Sequence, residues 1–111
     1  MKVPNAQAAL IGLDKLRNYS LNPDHDRGKH KARLFLAILG LDVKDAEWLQ
    51  SVLLEIIQVH SAVPGIQDQY GDRYVIDFPI TRNNQAAMVR SAWIIRLTED
   101  FPRLTSCYIL R

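Results

Sequence analysis

The stretch "RYVIDFPITRNNQAAMVRSAWIIRL", residues 73–97, decides the fold, because apolar side chains recur every second residue on both sides of a turn. A period of two indicates a strand with one buried face. Asn83 and Asn84, between the two runs, are typical turn residues. The pattern predicts a hairpin with strands near 72–80 and 86–97. The core-facing positions would be Tyr74, Ile76, Phe78, Ile80, Val89, Ser91, Trp93, Ile95 and Leu97.

The segments on either side of this hairpin extend the prediction. A third apolar run at 103–110 follows the loop "TEDFP", and three strands joined by short turns favour an antiparallel meander. Upstream, helical spacing predicts one or two turns at 13–21, a helix near 29–39 and a helix near 43–60. The second helix would bury Ala32, Phe35, Leu36 and Leu39 and end at Gly40, and Asp42 would cap the third.

These elements predict an α+β domain spanning residues 1–111, with the helices packed on one face of the sheet. A chain of 111 residues with 48% hydrophobic content has material for one modest core. A net charge of +2 permits a nucleic-acid partner without requiring one. The single Cys107 excludes an intramolecular disulfide. We expect a cytoplasmic protein, since no run of residues is typical of a membrane helix or a signal peptide.

The segment "NPDHDRGKHKARLF", residues 22–35, poses a problem of charge. The second helix begins among Arg27, Lys29, His30, Lys31 and Arg33, although a helix N-terminus favours acidic residues. The third helix begins in the usual way, next to two aspartates. One interpretation is that the cations hold a phosphate, since helix starts attract anions. The other is a solvated basic face neutralised by Asp24 and Asp26, with His25 an ordinary loop residue.

Further motifs accompany this segment along the chain. They are "KLRNYSLNPDH" (15–25), "GKHKARLF" (28–35), "YGDRYVIDFPI" (70–80), "VRSAWII" (89–95) and "PRLTSCY" (102–108). In this order they resemble a bacterial domain family of unknown function, which occurs as small stand-alone proteins and as C-terminal domains of polymorphic toxins. Its toxin members are thought to resemble the barnase–EndoU–colicin–RelE group of ribonucleases. The resemblance covers roughly residues 8–110 and implies helices followed by an antiparallel sheet.

The resemblance also marks particular residues. The residues that the resemblance implies to be structural are Gly28, Ala32, Phe35, Gly71, Trp93 and Leu104. Arg103 also matches the family pattern. The polar residues that it marks as candidates for function are His25, Lys31, Tyr70 and Thr105. The chain departs from the usual pattern at Asp26–Arg27, at Asn83–Asn84 and at Thr105–Ser106. The last departure leaves open whether Thr105 or Ser106 matches the family's hydroxyl residue.

RNA cleavage without a metal needs a proton acceptor for the ribose 2′-hydroxyl, a proton donor for the leaving 5′-oxygen and cations for the phosphate. The imidazole of His25 is the candidate for either proton transfer, and Lys31 and Arg33 would hold the phosphate. Thr105 or Tyr108 on the last strand would donate a hydrogen bond, and Tyr70 would stack on a base. The predicted phosphate- and RNA-binding residues are Arg27, Lys29, His30, Arg33 and Tyr70.

The sequence therefore predicts a metal-independent endoribonuclease toxin that requires no cofactor. RNA and a small acidic antitoxin or immunity protein would be its partners, and no membrane partner is expected. His25, His30 and His60 lack the spacing of metal ligands. A non-catalytic RNA- or protein-binding module is the alternative. A third hypothesis is a deaminase-like or other nucleotide enzyme, but the chain has no cysteine pair that could bind zinc. An enzyme should bring His25, Lys31 and residues 105–108 into one cleft.

Overall fold

The computed structural model describes residues 1–110, in which a 3₁₀ turn, Ala6–Ala8, and three helices precede a four-stranded sheet. Helix α1 consists of an α-helical turn, Leu13–Lys15, and a π-helical turn, Leu16–Ser20. Helix α2 runs from Lys29–Leu34 into a π-helical segment, Phe35–Leu39. Helix α3 opens with the 3₁₀ turn Val43–Asp45 and continues as Ala46–Val59. The three predicted helices are confirmed, as is the cap: Asp42 and Asp45 form a reciprocal capping box.

The sheet is an antiparallel meander of order β1-β2-β3-β4, and it contains one strand more than the sequence predicts. Strands β2 (Gly71–Arg82), β3 (Gln85–Arg96) and β4 (Arg103–Ile109) are the predicted three. Strand β1 (Val63–Asp68) is the addition. Its "VPG" start is typical of a helix end, and all six residues are exposed, so the strand shows no apolar alternation. It pairs with β2 across an irregularity between Pro64 and Gln67.

One face of the sheet carries the core, in agreement with the predicted alternation. Tyr74, Ile76, Phe78 and Ile80 of β2 are buried, and so are Val89, Ser91 and Trp93 of β3. They join buried residues of all three helices in one cluster, among them Leu16, Phe35, Leu39, Leu49, Leu53 and Ile57. The helices therefore cover this face. The Trp93 indole donates to the Ser91 hydroxyl, which donates to the Ile76 carbonyl, so the buried polar groups of this pair are satisfied.

Three predicted core positions differ. Leu36 is exposed, because α2 packs through Ala32, Phe35 and Leu39 and leaves Leu36 on the flank of that stripe. Leu97 is exposed, because β3 ends at Arg96. Ile95 is only partly buried, although it still packs against the core.

The opposite face of the sheet is not covered by the helices, and its register positions the candidate site. Asp77 of β2 lies opposite Arg90 of β3, which lies opposite Tyr108 of β4. The neighbouring row contains Val75, Ala92 and Ser106. We call this surface the open face of the sheet. Ladder partners point to the same side, so the side chains of each row project together from it.

Candidate functional site

Four chemically active side chains form a row across the open face, and we call them the polar row. Arg90 donates from Nε to one oxygen of Asp77 at 2.8 Å and from Nη2 to the other at 2.9 Å. Tyr108 is the next residue across the ladder from Arg90. Lys31 of α2 completes the row at the β4 edge, where its Nζ lies 4.4 Å from the centroid of the Tyr108 ring. Such a distance is typical of a cation–π contact.

The electrostatics of the polar row favour an anionic ligand. The hydrogen bonds from Arg90 outweigh partial burial and hold the pKa of the Asp77 carboxyl below its usual value. Asp77 first and Tyr108 second raise the pKa of the Arg90 guanidinium. Asp77 is therefore ionised and Arg90 charged at neutral pH, and Lys31 adds a second cation. The row carries one carboxylate, two cations and a phenol between the cations, so its net charge is positive.

The cations at 27–33 are not neutralised by neighbouring acids. In the part of the chain that the structure describes, Arg27, Lys29, Lys31 and Arg33 make no salt bridge, and neither Asp24 nor Asp26 pairs with any of them. Within residues 1–110, the other arginines all have a carboxylate partner, in the pairs Arg17–Glu47, Arg73–Asp68, Arg82–Asp45, Arg90–Asp77, Arg96–Glu99 and Arg103–Glu99. Neutralisation by direct ion pairs with Asp24 and Asp26 is therefore not observed, and a solvated basic face stays the alternative interpretation of this segment.

His25 lies in a separate depression, where its ring accepts hydrogen bonds from the backbone. The backbone N–H groups of Arg27 and Gly28 both donate to its Nδ1 at 3.0 Å, and its ring packs edge-on against Tyr19 at 4.7 Å. Since Nδ1 is an acceptor, the proton of the neutral ring resides on Nε2. The depression is lined by Tyr19, Asn22 and Asp24 to Arg27, and by none of Lys31, Thr105 or Tyr108. Proton transfer by His25 therefore stays a prediction, and it requires Nδ1 to release two backbone groups.

The remaining predicted residues lie at different distances from the polar row. Thr105 is an exposed, unpaired residue at a β-bulge, because Ala92 pairs with Ser106 and Trp93 with Leu104. It lines a groove with Lys15, Arg103 and others, whereas Ser106 shares the open face with Tyr108. Tyr70 is 62% exposed in the turn before β2, roughly 20 Å from Asp77 at about 3.3 Å per residue. The exposed His30 makes no hydrogen bond within residues 1–110.

Comparison with models of protein families shows which family the chain belongs to. A model described as "Domain of unknown function (DUF6883)" matches residues 2–111. The chain belongs to the DUF6883 family. The predicted membership of a family of unknown function is thus confirmed, and the matched range includes every residue of the polar row. No curated protein matches the DUF6883 chain in sequence.

A solved structure resembles the DUF6883 chain in fold. It is described as "Contact-dependent growth inhibition toxin - immunity protein complex from Klebsiella pneumoniae 342". One of its chains is similar with a TM-score of 0.67 and 15% identity, over 90% of the DUF6883 chain and 98% of that chain. At this identity the likeness shows the fold alone. That fold is the helix-covered antiparallel sheet described above.

Asp77 and Arg90 are members of the site that the sequence reasoning missed. Both residues alternate with the predicted core positions of the hairpin, which places them on the side of the strands that faces away from the core and gives them no further role. The turn contains the signal that would have found them. Asn83 and Asn84 both have positive φ, the conformation of a two-residue hairpin turn, which fixes the register. Counting outward from this turn places Asp77 opposite Arg90 on the open face of the DUF6883 domain.

Other chemistries find less support in the described residues. Within residues 1–110, no group of three or more His, Cys, Asp or Glu side chains is arranged to hold a metal ion. Cys107 is buried on the core side of β4, and burial raises the pKa of its thiol to about 12, which makes it a poor nucleophile. None of the helices in residues 1–110 is long and apolar enough to cross a membrane.

The hydrogen bonds of His25 lead to a prediction for stability. His25→Ala removes the acceptor for two backbone N–H groups, so we expect the free energy of unfolding to fall by about 1–2 kcal/mol. Urea denaturation followed by circular dichroism measures this change. His30→Ala is the control, since the His30 side chain is exposed, and its effect should stay within about 0.5 kcal/mol. Equal stability of the two variants would contradict the capping role.

Proposed function

We propose that this chain is a toxin-type domain that cleaves RNA without a metal ion. The observation that carries the proposal is the polar row: Lys31 lies against Tyr108, beside the Arg90–Asp77 pair, on a face that the helices leave open. The uncompensated cations at 27–33 extend the positive charge from its Lys31 end. Phosphate oxygens are ligands that ammonium and guanidinium groups bind well, and bidentate binding by arginine adds orientation.

The proposed reaction uses the groups of the row in a fixed order. The ribose 2′-hydroxyl attacks the adjacent phosphorus and loses its proton to an acceptor, and the 5′-oxygen of the next nucleotide leaves with a proton from a donor. Lys31 and Arg90 stabilise the negative charge that develops on the phosphoryl oxygens. Tyr108, which lies between them, supplies the proton to the leaving oxygen. Asp77 lies in the row and is ionised, so it is the proton acceptor proposed within the row, although its bonds to Arg90 lower its basicity. His25 lies in a separate depression and is the other predicted acceptor.

The toxin-type assignment draws on the fold. The chain that it resembles comes from a toxin–immunity protein complex, and the sequence motifs resemble a family whose members include polymorphic toxin domains. We extend the same proposal to the site of action: the domain acts on RNA in the cytoplasm. The second candidate is a non-catalytic RNA-binding module. The bonding of His25 favours it, because the one nitrogen of the neutral ring able to take up a proton already accepts two backbone N–H groups.

Cleavage of RNA by the purified chain tests the proposal. We expect cleavage that persists in excess EDTA and falls by about 10²–10³-fold in Lys31→Ala, since one stabilising cation is lost from the transition state. The salt dependence of RNA binding should also decrease, by about 0.7 in the slope of log K against log salt for one phosphate contact to a single strand. Filter binding measures that slope.

Lys44→Ala is the matched control for this experiment. Like Lys31, Lys44 makes no salt bridge within residues 1–110, but it is exposed, whereas Lys31 is half-buried, and it lies at the start of α3. Its replacement should leave cleavage and the salt slope unchanged. Intact RNA after incubation with high concentrations of the wild-type chain, together with salt-dependent binding, would overturn the enzymatic proposal and leave the binding module.

An acidic inhibitor follows from the same charges. A domain that cleaves RNA in its own cell requires a restraining partner, and complementary charge speeds the association of such pairs. We propose a small acidic immunity protein or antitoxin that covers residues 25–33. Reversal of charge at Lys29, Lys31 and Arg33 to Glu should weaken its binding by at least about tenfold, as measured by calorimetry after co-purification. If the partner binds this triple variant normally but fails to bind a variant changed on a different surface, the partner covers that other surface instead.

A further inference from the structure

A pocket of about 380 Å³ opens on the sheet at the end of the polar row opposite to Lys31. Its lining consists of Ser61, just before β1, Val63 of β1, Val75 and Asp77 of β2, and Arg90 of β3. The pocket therefore shares Asp77 and Arg90 with the row. The volume lies within the range of pockets that hold small molecules, toward its lower end.

The walls and the floor of this pocket differ in character. Val63 and Val75 are partners in the β1–β2 ladder, so their side chains project to the same side and form an apolar wall. Val63 is 68% exposed, so its side chain is accessible to a ligand in the pocket. The floor is the Asp77–Arg90 pair. An apolar wall beside a few fixed polar groups is the usual composition of a pocket for a flat heterocycle.

We infer that this pocket binds the nucleobase of the nucleotide whose phosphate lies between Arg90, Tyr108 and Lys31. The inference rests on the proposed function, because it takes the polar row as the phosphate site. Adjacent strands lie about 4.8 Å apart, so β1 and β4 are separated by roughly 14 Å across the sheet. A nucleotide laid across the strands places its base against the valines of β1 and β2 and its phosphate toward β4.

The floor also determines which bases fit best. Asp77 is ionised and can only accept hydrogen bonds, and each of its oxygens keeps a lone pair beyond its bond to Arg90. An exocyclic amino group, as in adenine, cytosine and guanine, supplies a donor to it. Uracil offers one N–H group flanked by two carbonyl oxygens that the carboxylate repels. The pocket therefore prefers amino-bearing bases over uracil.

Binding of small nucleotides tests the pocket without requiring cleavage. Calorimetric titration of the full chain with AMP, UMP and ribose 5-phosphate separates the base from the phosphate. We expect AMP to bind about tenfold or more tightly than ribose 5-phosphate, because covering the apolar wall of the pocket with one base contributes a factor of this order. UMP should bind more weakly than AMP.

Two neutral substitutions on the same strand localise the effect. Val63→Asn introduces a polar amide into the wall and should remove most of the advantage of AMP while leaving ribose 5-phosphate binding unchanged. Ile66→Asn is the matched control, since Ile66 is 69% exposed on β1 but does not line the pocket. Both positions are exposed, so neither change should affect folding.

The outcomes separate this inference from the proposed function. AMP preference that depends on Val63, in a chain that does not cleave RNA, leaves the base pocket standing and overturns the proposed enzyme. RNA cleavage by a chain that binds AMP no better than ribose 5-phosphate overturns the pocket alone. Unchanged AMP binding in Val63→Asn, with weaker binding of an acidic protein partner, also overturns it and makes this surface a protein-binding one.

Discussion

Tyr108→Phe should lower the rate of RNA cleavage by about 10²–10⁴-fold, because it removes the proton donor for the leaving oxygen. The substitution keeps the aromatic ring, so the contact with Lys31 Nζ at 4.4 Å survives. The half-buried position on the β4 edge survives as well. Binding of RNA should therefore change little, and the loss should appear in the single-turnover rate at saturating enzyme.

Tyr70→Phe is the control for this prediction. Tyr70 is exposed and lies roughly 20 Å from the polar row, and phenylalanine retains the stacking surface predicted for it. Its cleavage rate should equal that of the wild-type chain. A wild-type rate in Tyr108→Phe would show that the hydroxyl takes no part in proton transfer, and His25 would then be the remaining donor in need of a test.

The hairpin of β2 and β3 could be predicted from the sequence, because burial of one face imposes a period of two on the side chains. Strand β1 could not. Its side chains are all exposed, so no alternation marks it, and its partner strand holds it mainly through backbone bonds. Pro64 and Gly65 also depress the strand propensity of the segment. The prediction that Leu36 is buried was wrong for a related reason. A helical pattern marks an apolar stripe but does not show which edge of that stripe the sheet will cover.

The members of the candidate site that are recognised one by one from their chemistry were predicted from the sequence. The members that are brought together only by pairing across strands were not. Lys31 and Tyr108 were both predicted, and the structure brings them into contact. Asp77 and Arg90 are 13 residues apart, and only the register of the hairpin makes them a bidentate pair. His25 was predicted to transfer protons, with an ordinary loop residue as the alternative. The hydrogen bonds that its ring accepts from two backbone N–H groups leave no trace in the sequence.

The ambiguity between Thr105 and Ser106 has a structural origin. Along a regular strand, one of two adjacent residues faces the core and the other faces away. A bulge at Thr105 interrupts this alternation, so Ser106 lies on the open face with Tyr108 while Thr105 is exposed in a neighbouring groove. Sequence alone does not reveal the bulge. The register assigns Ser106, rather than Thr105, to the surface that contains the polar row.

Gly71→Ala should lower the free energy of unfolding by about 3 kcal/mol or more, because Gly71 is a buried residue at the start of β2 whose backbone conformation and surroundings leave no room for a side chain. Gly71 has φ of +143°, a backbone conformation that residues with a Cβ rarely adopt. A Cβ at this position would also lie 2.1 Å from the carbonyl oxygen of Ile95, which belongs to the backbone of β3. The backbone of a paired strand cannot move away without losing its hydrogen bonds. The strain is therefore relieved only if the pairing of Gly71 with Arg96 is broken.

Gly12→Ala is the matched control, because its backbone has φ of −70° and a Cβ there would meet only the Lys15 Cβ, at 3.9 Å. Urea denaturation should show a loss of less than about 1 kcal/mol for this variant. Similar stability of the two variants would mean that β2 can begin without the close approach at Gly71.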